Sequence, residues 1–133
     1  MTQPSPVFEL RVVVTAENHE AAVRFYRDVL GLPVISDFEG GSLLAAGQAT
    51  LEILSRRAAA EVDRIEVGNP SPPGIRLAME VADAPELARE AEDGGAVRLG
   101  GPVDTPWGHT NVRLRTPDGV EITLFTVAPE DGS

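Results

Sequence analysis

The sequence predicts an α+β protein built from two βαβββ units, and three observations carry that prediction. A β-branched run, Phe8–Thr15, leads into an amphipathic segment that Gly31 and Pro33 bring to a stop. Three short alternating runs separated by glycines come next. The same order of strand, helix and strands then returns, with Arg76 standing 65 positions after Arg11.

In the first run, Leu10, Val12 and Val14 fall on one face and Arg11, Val13 and Thr15 on the other. Asn18 is placed to cap the helix, and Ala22, Phe25, Tyr26, Val29 and Leu30 share its apolar side. Gly31 takes the left-handed position that closes a helix. Strands over Val34–Phe38, Ser42–Ala46 and Thr50–Leu54 follow, separated by Gly40, Gly41 and Gly47, so the first module covers about residues 7–55. Residues 56–74 break the pattern. They hold a helical piece around Ala58–Ile65 and the stretch NPSPPG, Asn69–Gly74, which suits neither helix nor central strand. This segment reads as a linker.

The second module covers about residues 75–127. Ile75, Leu77, Met79 and Val81 form one face of its first strand, and Arg76, Ala78 and Glu80 the other. Asp83, Pro85 and Glu86 give a helix start of the capping-box type. Ala84, Leu87, Ala88 and Ala91 are its buried stripe, and Gly94–Gly95 end it. Val97–Leu99, a segment over Pro102–Gly108, Asn111–Arg115 and Val120–Phe125 supply the remaining strands, with a tight turn at Pro117-Asp118-Gly119.

Composition narrows the function. A chain of 133 residues with 42% hydrophobic content can bury a sizeable core as a single domain. Its formal charge of −10 argues against a nucleic-acid backbone as partner. It favours solubility, or attraction of a cationic ligand. Most of the acids, including Glu61, Asp63 and Glu66, read as solvated faces or loops, as do Glu130 and Asp131 near the end. No run is long and apolar enough to span a bilayer, and MTQPSP does not read as a leader, so a cytoplasmic home without membrane association is expected. The absence of cysteine excludes disulfides and thiolate chemistry.

The stretch FYRDVLGLP (residues 25–33), preceded by a β-branched strand and followed by short strands, resembles the helix signature of the vicinal oxygen chelate superfamily. That group includes glyoxalases, extradiol dioxygenases and bleomycin- and fosfomycin-resistance proteins. The resemblance covers nearly the whole chain. It implies curved mixed sheets enclosing a cleft, a small-molecule ligand in that cleft and a homodimer. Open curved sheets also gain from further burial. Fold alone does not choose among the activities this scaffold hosts.

In metal-dependent members, ligands lie on the first and last strand of each module. Aligning on FYRDVLGL and on TPDGVEITLF puts these positions at Arg11, Glu52, Arg76 and Thr123. Only Glu52 is a competent ligand. A guanidinium offers no lone pair and repels a divalent cation, so no metal or other cofactor is expected. The two arginines either pair with Glu52 in a charge network or receive a ligand oxygen; the residues leave both open. Trp107, in PWG, resembles the groove-lining aromatic of antibiotic-binding members, with packing over the sheet edge as the alternative. His109 is a candidate polar contact or acid/base in the adjoining loop, whereas His19 in the first helical turn reads as solvated. Glu80, Asn111, Arg113, Glu121 and Phe125 share the face of Arg76 and Thr123, and Arg113 is taken with the candidate ligand-binding set. The expectation is a metal-independent small-molecule binder of the sequestering or resistance type. Its alternative is a glyoxalase-like lyase, isomerase or dioxygenase acting on a small oxygenated substrate. That enzyme would use Glu52 as base with Arg11 or Arg76 at an oxyanion, or a metal held by other residues such as His109, Glu80 or Glu121.

Overall fold

The computed structural model describes residues 6–69 and 74–129. The NPSPPG stretch lies largely outside them, as do Glu130 and Asp131. Strand β1 (Val7–Ala16) is followed by helix α1 (His19–Arg24), which widens into a π-helical turn over Phe25–Val29. Then come β2 (Val34–Phe38), β3 (Gly41–Ala46) and β4 (Ala49–Ser55). A second series runs β5 (Ile75–Val81), α3 (Ala84–Asp93), β6 (Val97–Asp104), β7 (His109–Arg115) and β8 (Glu121–Val127). Between the two lies α2 (Arg56–Val67).

All eight strands join one sheet in the order β2-β3-β4-β1-β5-β8-β7-β6. The parallel pair β1–β4 is echoed by the parallel pair β5–β8. The two βαβββ series meet along the antiparallel β1–β5 pair, where Arg11 faces Ala78 and Val13 faces Arg76. Ala78 is the repeat counterpart of Val13, so the two pairings are equivalent under the repeat, as two copies of one unit related by a two-fold rotation require. Helix α1 packs on one face of its own strands through Val23, against Leu44 and Ile53. Helix α3 does the same on β5, β7 and β8 through Ala84 and Ala88, against Val112, Leu114 and Leu124. The expected caps are present: Asn18 Oδ1 accepts from the Ala21 amide, and Asp83 Oδ1 from that of Glu86, each at 3.0 Å.

Three expectations are corrected. The apolar stripe of the first helix turns: Val23 is buried, while Phe25, Val29 and Leu30 are 50%, 69% and 55% exposed. The π turn rotates the later side chains off the 3.6-residue face on which they were counted. Val97–Leu99 and Pro102–Asp104 form one strand rather than two, with its register against β7 shifted around Gly100 and Gly101. The third correction governs the site. The helical piece expected around Ala58–Ile65 within the linker is longer, a full helix over Arg56–Val67 capped by the Ser55 hydroxyl at its start and by Gly68 at φ +86° at its end.

Helix α2 lies across the face of the sheet opposite α1 and α3. Ala58, Ala59 and Val62 pack on Val13, Leu54, Ala78 and Phe125. The helix comes so close to β6 that a Cβ on Gly100 would lie 1.9 Å from the Glu66 carbonyl oxygen. One turn on from Ala59 and Val62, Asp63 and Glu66 also point inward, and both are buried rather than solvated. Glu66 Oε1 accepts from Arg113 Nε and Thr123 Oγ1, each at 2.8 Å, and Oε2 accepts from Asn111 Nδ2 at 2.8 Å. Arg113 is fully buried and also donates to Asp63 and Glu121, each at 3.1 Å.

Removing one partner of such a group leaves buried carboxylates unopposed, at a cost of about 3–5 kcal/mol. Arg113→Met, which keeps the volume and deletes the charge, is therefore expected to lower unfolding free energy by about that amount. Denaturant titration checks this, and a loss under about 1 kcal/mol would mean that Asp63 and Glu66 find water instead.

Candidate functional site

The sheet and α2 enclose a cavity of about 470 Å³. Alternation brings Arg11 from β1, Glu52 from β4, Arg76 from β5 and Thr123 from β8 to the same face, and all four line this cavity. Phe38, Leu54, Val62, Ala78 and Phe125 give it a mostly apolar wall, while Glu39 and Glu61 add carboxylates. A second, smaller cavity of about 90 Å³ lies beside it, with Arg76 and Leu54 lining both.

The polar groups are unequally committed. Arg11 Nε donates to Glu9 Oε1 at 2.8 Å, and its guanidinium sits 5.1 Å from the centroid of the Phe125 ring. Glu9 is held in turn by the Thr50 hydroxyl at 2.6 Å. The Arg11–Glu52 separation is 3.8 Å, an ion pair without a hydrogen bond. Burial pushes the Glu52 carboxyl above the usual carboxylate range, against the pull of Arg11 and Arg76. Arg76 donates through Nη1 to Thr123 Oγ1 at 3.0 Å. Burial lowers its pKa, with Glu66 acting in the other direction and Arg113 adding to the lowering. Thr123 is occupied on both sides, accepting from Arg76 and Arg113 while donating to Glu66. Among the described residues, the open polar groups on the lining side chains include the remaining Arg76 N–H donors, the Glu52 oxygens and Asn111 Oδ1, which is buried without a partner.

Trp107 lies in the β6–β7 turn and His109 opens β7, and both line the cavity. Thr105 fixes this turn: its amide donates to the His109 carbonyl at 2.8 Å, and its hydroxyl accepts from the His109 amide at 3.0 Å. Gly108, at φ +88°, lets the chain reverse between the two aromatic residues. Trp107 Nε1 donates to His109 Nδ1 at 3.1 Å, and the imidazole stacks on Phe125 at 5.0 Å and 14°. Burial and Arg11 together hold the His109 pKa below its ordinary value.

Arg113 does not line this cavity. It is sealed beneath Glu66, where it organises the wall from behind. His19 is not simply solvated: its Nε2 lies 3.0 Å from the Ser42 hydroxyl, which donates to Asp37 at 2.6 Å. Ser42 is fully buried, so this triplet ties α1 to β2 and β3 and offers no accessible nucleophile. The residues missed from the sequence are Glu9, Phe38, Asp63 and Glu66. For the last two a signal existed, since 59, 62, 63 and 66 share one face of a helix.

The relatives' metal site can be tested against these side chains. Two guanidiniums and a hydroxyl accompany the one carboxylate, and among the described residues no three His, Cys, Asp or Glu side chains are grouped to hold an ion. The donor set does not fit a divalent metal.

No match is found among curated protein sequences. Solved structures share the fold. An NAD-dependent benzaldehyde dehydrogenase from Legionella pneumophila aligns with TM-score 0.71 and 15% identity, over 89% of this chain and 98% of that one. Methylmalonyl-CoA epimerase from Mycobacterium tuberculosis aligns with TM-score 0.65 and 22% identity, over 98% and 95%. A glyoxalase/bleomycin resistance protein/dioxygenase superfamily member from Vibrio splendidus 12B01 gives 0.62 and 13%, over 89% and 97%. Residues 10–124 match the sequence family itself. With its paired βαβββ units, the chain belongs to the Glyoxalase/Bleomycin resistance protein/Dioxygenase superfamily.

Proposed function

We propose that this chain is a metal-independent binding protein that takes up a small organic molecule in the 470 Å³ cavity, in the manner of a sequestering or resistance protein. The observation that carries this reading is the cavity's composition. An apolar and aromatic wall surrounds a few convergent polar groups, the usual form of a small-molecule site. Arg76 supplies donors to an oxygen of the ligand, and Glu52 accepts from an N–H or O–H beside it. Arg11, already tied to Glu9, braces Phe125. The relatives' cation is replaced by guanidinium charge that belongs to the chain.

A library of small molecules screened by quenching of Trp107, the single tryptophan, tests this. Compounds that bind are expected to lose affinity by about 30-fold or more on Arg76→Glu, the cost of turning a desolvated charged donor into a repelling carboxylate (about 2–5 kcal/mol). Unchanged affinity would move the site elsewhere. Elemental analysis of the purified protein is expected to find no stoichiometric metal, and about one tightly held Ni, Zn, Fe or Mn per chain would overturn the metal-free assignment.

One observation favours an enzymatic second reading. Glu52 is a buried carboxylate kept short of hydrogen bonds beside two arginines, which suits a base that takes a proton next to a carbonyl while Arg76 or Arg11 receives the oxyanion. Because its folded pKa is raised, ionised Glu52 destabilises the fold at neutral pH. That penalty fades as pH falls through the raised pKa and is gone below the unfolded value. Glu52→Gln is therefore expected to raise the melting temperature at pH 7, with the gain vanishing toward pH 4. Turnover, read as solvent deuterium entering a bound ligand and lost in Glu52→Gln, would select the enzyme over the binder.

The reading also includes a cytoplasmic homodimer. The exposed Phe25, Val29 and Leu30 on the turn after α1 give the chain an apolar surface for such pairing. Light scattering at micromolar concentration is expected to report a dimer, and a monomer throughout would remove this element.

A further inference from the structure

We propose that Trp107 fixes His109 as a neutral Nε2–H donor, and that this donor selects a flat, uncharged ligand carrying a carbonyl or ring-nitrogen acceptor. The proposal rests on reading the large cavity as the ligand site and adds the class of ligand.

An indole N–H can only donate. The Trp107 Nε1 to His109 Nδ1 contact of 3.1 Å therefore requires a lone pair on Nδ1, and the imidazole proton is placed on Nε2. A second proton on Nδ1 would set two N–H groups against each other, so the same contact disfavours imidazolium. The charged groups facing the ring are Arg11 and Glu9 on β1 and Glu66 on α2. Arg11 opposes a positive imidazole. Glu9 is already committed to Arg11 and Thr50, and Glu66 to Arg113, Thr123 and Asn111.

Among the described residues, His109 Nε2 has no hydrogen-bond partner, while the ring itself lines the cavity. An open donor on a cavity wall is free to meet a ligand acceptor in exchange for water. The surroundings define the rest of the ligand. His109 is stacked on Phe125, with Trp107 edge-on to it at 80° and Phe38 also on the cavity wall, so the space beside the donor suits a planar ring. Over the cavity lining as a whole, four carboxylates against two arginines disfavour an anionic ligand. Trp107 is thus a positioning residue acting through His109, and His109 is a specificity-determining contact.

Two measurements test the proposal separately. The first needs no ligand. Long-range proton–nitrogen correlations of histidine-labelled protein are expected to show His109 above its pKa as the Nε2–H tautomer alone. Trp107→Phe keeps a ring and removes the N–H, so it should admit the Nδ1–H tautomer and raise the His109 pKa. Finding the Nδ1–H tautomer in the wild type, or no change in Trp107→Phe, overturns the positioning role; if that variant fails to fold, the wild-type spectrum alone decides. The second uses coumarin, which carries a carbonyl, and naphthalene, which has the same bicyclic outline without an acceptor. Quenching of Trp107 is expected to show coumarin binding about tenfold tighter, as one hydrogen bond warrants. His109→Leu should erase that preference, and His109→Gln, which keeps an N–H donor, should retain part of it. Equal affinity of the two probes overturns the selection claim. Quenching by neither overturns the cavity as a site for flat ligands, while the tautomer measurement still decides the Trp107–His109 pair.

Discussion

The carboxylate of Glu66 is the contact on which the interior arrangement depends. It reaches from the connecting helix to three residues on two strands and satisfies a guanidinium, a hydroxyl and an amide with its two oxygens. Through Thr123 it also fixes the contact that anchors Arg76. A buried ion pair of this kind adds little stability relative to well-packed apolar residues, because desolvation consumes most of the attraction. What it supplies is placement. An apolar helix could slide along an apolar groove, but a helix carrying Asp63 and Glu66 has one register at which both meet Arg113. The bare backbone of β6 at Gly100 permits the close approach this register needs.

That placement divides the space under the sheet. On one side of α2 lies the roomy, largely apolar cavity; beside it is a small polar one, and the Arg76 side chain lines both. Because Arg113 and Thr123 are consumed by the helix, the polar groups open on the large cavity are chiefly those of Arg76, Glu52, Asn111 and His109. In the proposed metal-independent reading, the positive charge in the cavity comes from the guanidinium groups of Arg11 and Arg76. A guanidinium has a fixed fork of donors and needs no open coordination position, so it orients an oxygen by hydrogen bonds rather than by coordination.

Most of the fold was legible in the sequence, because its two units bury one face of each strand under a helix, and period-two alternation records that directly. The caps at Asn18 and Asp83, the positive-φ ending at Gly31 and the equivalence of Arg11 with Arg76 all follow from local chemistry. The placement of Arg11, Glu52, Arg76 and Thr123 on one cavity was legible from alternation together with the family resemblance that aligned the two modules. The role of α2 was not. Asp63 and Glu66 carry the charge of a solvated helix face, and only the presence of Arg113 on a strand far along the chain makes their burial tolerable. Sequence alternation assigned Arg113 to the right face of β7 but could not reveal that a helix covers it. The π turn escaped in a similar way, since one extra residue in a helical turn leaves composition unchanged while rotating Phe25, Val29 and Leu30 outward.

Glu52 and Arg113 occupy the same face of one sheet, yet burial has opposite consequences for them. Around Arg113 the fold supplies three carboxylates and a hydroxyl, and its charged state is favoured despite desolvation, chiefly through Glu66. Around Glu52 it supplies an arginine at 3.8 Å that is better bonded to Glu9, and the charged state is disfavoured. A structural ion pair is completed from within the chain; a carboxylate left short of donors at a cavity wall is not. Such an incomplete group carries a cost to stability, and the proposed contact with a ligand would account for its retention. The same contrast separates the fully bonded Thr123 from the Nε2–H of His109. In the proposed reading, these open groups are where a ligand would complete the hydrogen bonding.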